Sequence, residues 1–120
     1  MKRLKVTDIT TLSNNEKRAI ILLKERLEQN FKFVKLIMFG SKARGDHSEY
    51  SDVDLMVLVE DPKTTEVREK LSDLQFEVIM EQDAPIMSTI ENYHNWIDEK
   101  NISLPFKDNV ESEGVEIEIS

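Results

Sequence analysis

Residues 39–55 read FGSKARGDHSEYSDVDL, and the reading of this stretch decides the fold. An apolar run, FVKLIMF, leads into it over residues 33–39, and a second, VDLMVLV, leaves it over residues 53–59. Runs that are nearly all apolar suit strands covered on both faces. Gly40 ends the first run, because glycine takes the positive φ that a sharp turn needs. Lys42, Ala43 and Arg44 suit a short helical turn, and residues 45–51 suit a polar loop. In the second run Val53, Leu55, Val57 and Val59 share one face. Asp52, Asp54, Met56 and Leu58 share the other, so two carboxylates point the same way where the strand opens.

Working outward, Ser13-Asn14-Asn15-Glu16 matches a capping box, and Ile20, Leu23 and Leu27 follow at helical spacing. This predicts a helix over residues 13–30. Val67, Leu71, Leu74 and Val78 form a second helical stripe, over residues 65–82. Residues 85–90, PIMSTI, read as a third strand with Pro85 tolerated at its first position. Asn92 caps a short helix carrying Tyr93, Trp96 and Ile97, and residues 106–113 suit a last helix ended by Gly114. Val115, Ile117 and Ile119 alternate with Glu116 and Glu118, as in a half-buried strand or an extended edge. Residues 1–12 have no clear period and read as a loosely held lead-in segment. The whole predicts an α/β protein of the α+β type: a small mixed sheet with helices packed on it, one domain over residues 1–120.

The 120-residue chain has no cysteine, which excludes disulfides and thiolate metal sites and fits a cytoplasmic location. No apolar run is long enough to span a membrane, and the basic N-terminus lacks the apolar core of a signal peptide. A net charge of −8 argues against direct DNA or RNA binding, which needs Lys and Arg to neutralise phosphates. Glu111, Glu113, Glu116 and Glu118 concentrate part of that charge near the C-terminus; they read first as a solvated face and second as an edge for a partner.

The loop ends carry the chemistry. Two carboxylates crowded together repel, and a divalent cation removes the conflict. Mg²⁺ prefers oxygen ligands and is commonly held by one or two carboxylates plus substrate phosphates. Two such ions can serve both ends of an in-line displacement at phosphorus. At Gly40 phosphate can approach the backbone, with turn N–H groups and the Ser41 hydroxyl as donors. Arg44 offers a charged fork, whereas Lys42 assists or faces water. Each feature alone is commonplace: a Gly-Ser turn is most often structural, and an Asp-x-Asp most often a solvated turn. Jointly, with buried strands on both sides, they point to a nucleotide site. His47 lies in the loop above it, and His94 reads as a surface residue.

Gly-Ser, ten residues, then Asp-x-Asp resembles the signature of the DNA polymerase β nucleotidyltransferase superfamily. The wording GSKARG…SDVDL and the short length resemble its minimal nucleotidyltransferases (MNT). That resemblance implies a polymerase β-like fold with the site at one end of the sheet, Mg²⁺, and a nucleoside triphosphate, usually ATP. It gives Gly40 and Ser41 the triphosphate, with Arg44 assisting, and Asp52 and Asp54 the metal and the catalysis. Many members of this group are antitoxins that transfer AMP to a tyrosine of a HEPN-domain toxin. The superfamily usually has a third carboxylate on a following strand. Here that strand, residues 85–90, has no Asp or Glu; Ser88 and Ile90 stand near the expected place, and Glu91 just beyond it. The resulting expectation is a Mg-dependent protein adenylyltransferase. Its rivals are an antitoxin acting by binding alone and a transferase for a small molecule such as an aminoglycoside.

Overall fold

The computed structural model describes residues 1–48 and 50–119. Five strands form one mixed sheet in the order β1-β5-β2-β3-β4: β1 (Lys2–Lys5), β2 (Phe33–Phe39), β3 (Val53–Val59), β4 (Ile86–Asn92) and β5 (Val115–Glu118). β2 runs antiparallel to both β3 and β5, while β3–β4 and β1–β5 are parallel pairs.

Helices cover both faces. α1 (Asn14–Asn30) and α3 (Thr65–Gln82) lie on one, where Ile20, Leu23, Leu27, Leu71, Leu74 and Val78 meet Leu36, Met38, Val53, Leu55, Val57 and Val59. α4 (Tyr93–Asp98) and α5 (Leu104–Glu113) lie on the other, where Trp96 and Val110 meet Ile37, Met56 and Leu58. The alternating faces of β3 are thus divided as its sequence indicates. α1 starts on the full capping box: Ser13 Oγ accepts from the Glu16 N–H and the Glu16 carboxylate accepts from the Ser13 N–H. α3 starts on Thr64, whose side chain accepts from the Val67 N–H. A short helix, α2 (Ser41–Arg44), follows Gly40 and ends at Gly45 in the left-handed region.

Two expectations need correction. Residues 1–12 are not loosely held: β1 pairs with β5, residues Val6–Asp8 form a 3₁₀ turn, and Val6, Ile9 and Leu12 are buried in the α1–α3 core. Of the two readings of β5, the half-buried strand holds and the sheet edge does not, because β1 continues the sheet beyond it. β1 escapes a periodicity search because it is four residues long and exposed at three of them.

Candidate functional site

The site forms where β2 ends and β3 begins. Phe39 is paired with Asp54 across the antiparallel ladder, so the Gly40 turn lies directly against the Asp54 side chain. Gly40 has φ +77°, and a Cβ built on it would overlap Asp54 Oδ2. Only glycine fits on both counts: the backbone conformation disfavours a side chain, and the carboxylate fills its place. After the turn, the Ala43 and Arg44 N–H groups donate to the Gly40 carbonyl and close α2, of which Ser41 is the first residue.

Asp54 is half-buried, and so is Asp52's neighbour Ser51, while Asp52 itself is exposed. Burial, then the charges of Asp52 and Glu113, push the Asp54 carboxyl above its ordinary range, while Arg44 opposes them. That marks a site short of positive charge. Among the described residues no three His, Cys, Asp or Glu side chains gather to hold a metal unaided. Asp52 and Asp54, crowded and made of hard oxygen donors, fit a divalent cation whose remaining ligands come from phosphate and water.

Glu113, the last residue of α5, joins this site and is not among the residues that sequence spacing singles out. Its Oε1 accepts from the Gly40 N–H at 3.1 Å and its Oε2 accepts from Arg44 Nη1 at 2.9 Å. Arg44 Nε donates to Asp46 at 3.1 Å, and the two carboxylates raise the pKa of the guanidinium. The signal for Glu113 is tertiary: α5 delivers it from 73 residues beyond Gly40.

Lys42 neither faces water nor reaches the site. It is buried, with its ammonium on the equally buried Glu16, and its carbonyl accepts from Thr11 Oγ1 at 2.7 Å. It anchors α2 to the start of α1. His47 is half-buried over a cavity of about 380 Å³ bounded by Thr11, Glu16, Lys42 and Pro85, and its Nδ1 has no partner among the described residues. His94 is exposed, as expected.

Residues 20–115 match the model of the nucleotidyltransferase domain. The chain belongs to this nucleotidyltransferase family. A relative from Methanocaldococcus jannaschii, named "Putative protein adenylyltransferase MJ0141", is 33% identical over 96 residues, covering 80% of this chain and 84% of its own. Two solved structures share the fold. A toxin–antitoxin crystal structure with AMP-PNP aligns with a TM-score of 0.59 at 22% identity, over 87% of this chain and 72% of that one. A mutant of the MntA–HpeT toxin–antitoxin aligns at 0.57 and 21% identity, with the same coverage. The minimal nucleotidyltransferase resemblance agrees with these relatives.

The strand register of this nucleotidyltransferase also shows which β4 residues lie on the Asp54 face. Asp54 is paired with Met87, and Leu55 with Ser88. Paired residues share a face, so Met87 and Thr89 are the β4 neighbours on the Asp54 side. Ser88 and Ile90 face α3 instead: Ser88 donates through its N–H and hydroxyl to Gln75, and Ile90 is in the α1–α3 core. Ser88 and Ile90, expected near the place of a third carboxylate, are therefore on the opposite face of β4 from Asp54, whose face carries Met87 and Thr89. Glu91 shares the Asp54 face but pairs with Leu58, four residues beyond Met87. At a rise of roughly 3.3 Å per residue that is about 13 Å away, and Glu91 is held by Lys63. Glu91 therefore does not bend into the site.

Proposed function

We propose that this nucleotidyltransferase moves AMP from ATP to a protein hydroxyl, and that it acts in the cytoplasm as the antitoxin of a HEPN-type toxin, whose tyrosine is the acceptor. The observation that carries the reading is the contact of the Gly40 turn with Asp54, beside Asp52. It supports a backbone cradle for phosphate adjoining a carboxylate pair suited to metal. In this reading Gly40, Ser41 and Arg44 receive the β- and γ-phosphates, and Asp52 and Asp54 would hold Mg²⁺. Bound Mg²⁺ would supply charge neutralisation at the phosphates. The acceptor oxygen bonds to the α-phosphorus, the bond to the β-phosphate oxygen breaks, pyrophosphate leaves, and the hydroxyl proton passes to solvent. The chain contributes positioning and electrostatics. General-base help is typically worth 10²–10⁴-fold, so a site with Met87 beside Asp54 is expected to turn over slowly.

Incubation of the protein with MgATP and its cognate toxin tests this. An added AMP on a toxin tyrosine, seen by intact and peptide mass, is the expected result; its absence in the presence of normal ATP binding sinks the catalytic claim.

Met87, paired with Asp54, favours a second reading, in which the antitoxin neutralises its partner by binding alone. The Asp52→Asn/Asp54→Asn double variant separates the two. If transfer is the mechanism, the variant no longer protects cells from the toxin. Equal protection at equal dose would assign the effect to binding.

A further inference from the structure

We infer that Glu113 is a resident stand-in for phosphate: it occupies the Gly40 amide and Arg44 and must swing away before a triphosphate can dock. This rests on the nucleotide reading above and adds the regulation of that same site.

The geometry is specific. Of the three residues that the reading assigns to phosphate, Glu113 takes donors of two, Gly40 and Arg44, one with each carboxylate oxygen, at 3.1 Å and 2.9 Å. A carboxylate and a phosphate oxygen are both anionic acceptors; the lone Gly40 N–H cannot serve the two at full strength, and at Arg44 they compete for the Nη1 donor that Glu113 holds. The backbone that carries Glu113 is fixed. Val110 is buried against Ile37, and a Cβ on the residue after Glu113, Gly114, would overlap the Val110 carbonyl oxygen and lie 2.9 Å from Ile37 Cγ2. The end of α5 therefore stays seated while the Glu113 side chain, with its several rotatable bonds, is the part free to move. Its charge belongs to the site as well: with Asp52 it adds negative charge beside Asp54, while the Arg44 guanidinium is shared between Glu113 and Asp46. An incoming triphosphate thus meets both competition for its donors and repulsion.

Isothermal titration of the whole 120-residue chain with inorganic tripolyphosphate, and separately with MgATP, tests the inference. Glu113→Ala should bind tripolyphosphate about tenfold more tightly than the wild type, the scale of a lost charge-assisted competitor. Glu113→Gln keeps an acceptor for the Gly40 N–H but loses the charge, and should fall between them. Thermal melts establish that each variant is folded. Should Glu113→Ala not fold, the isosteric Gln variant carries the comparison. The wild type supplies an independent readout: tripolyphosphate should move the Gly40 amide resonance, and in the Glu113 variants that resonance should be displaced before any ligand is added. Equal or weaker binding by the folded variants overturns the inference. Weakening confined to MgATP would reassign Glu113 as a metal ligand. If the wild type binds MgATP and the variants gain nothing, only the role of Glu113 falls. If neither wild type nor variants bind MgATP or tripolyphosphate, the nucleotide reading falls with it.

Discussion

A methyl group on residue 40 would collide with a carboxylate and strain the turn at once, and the two costs can be separated. Gly45 has φ +90° and open space where a Cβ would stand, whereas Gly40 has φ +77° and the Asp54 carboxylate in that place. Gly45→Ala therefore carries backbone strain alone, about 1–2 kcal/mol. Gly40→Ala carries similar strain and must also displace Asp54. We expect both variants to melt earlier than the wild type, and only Gly40→Ala to lose MgATP affinity by tenfold or more in a titration. Equal affinities would mean that the Gly40–Asp54 contact has no part in binding. This contact is legible in the sequence, because a glycine ending one buried strand and an alternating aspartate opening the next meet naturally across an antiparallel pair. Glu113 is not, since a glutamate near an acidic C-terminus looks like solvated charge until α5 is packed. Nor is Met87, whose place beside Asp54 depends on the β3–β4 register.

At the scale of elements, the joint between α1 and α2 is an ion pair rather than an apolar contact. Glu16 and Lys42 are both more than nine-tenths buried. Breaking such a pair by removing one partner typically costs about 3–5 kcal/mol, because the other charge is left buried alone. Lys42→Met should lose stability on that scale in urea unfolding, and Glu16→Gln/Lys42→Met should lose less than Lys42→Met alone. A double variant whose loss equals the sum of those of Lys42→Met and Glu16→Gln taken singly would show that the pair is not coupled. Burial by itself would raise the Glu16 carboxyl, but Lys42 and the Ser13 N–H outweigh it and hold it below the usual value of 4.5. A lowered native value stabilises the fold above the unfolded-state value, and that stabilisation is lost as pH falls through the native one. The urea midpoint of the wild type should therefore drop through the acid range more steeply than that of the double variant. The helices are readable from their spacing, and α3 has the bounds its stripe indicates. The inward turn of Lys42 is not readable, since on a one-turn helix a lysine after Gly-Ser has no periodicity to place it.

For the whole molecule, the two ends of the sequence meet. β1 lies in parallel register against β5, from Lys2 opposite Val115 to Lys5 opposite Glu118. Deletion of residues 1–8 would leave β5 as an edge strand, paired with β2 alone, and remove Val6 from the core. The truncated protein should melt well below the full chain and scatter more light at equal concentration. An unchanged melt would mean that β1 is ornamental to the sheet. Neither this pairing nor the interior place of β5 can be read from the sequence, because four residues with three exposed carry no pattern and nothing local says which distant strand they join.

That same closure sets a timetable for biosynthesis. β5 is inserted between β1 and β2, yet it is the last of the five strands to leave the ribosome. Until residues 115–118 emerge, the strand at the N-terminus has no neighbour to pair with and one side of β2 stays open to other nascent chains. Glu113 emerges just before them, so the Gly40 turn receives its carboxylate partner only after Asp46, Asp52 and Asp54 have all been made.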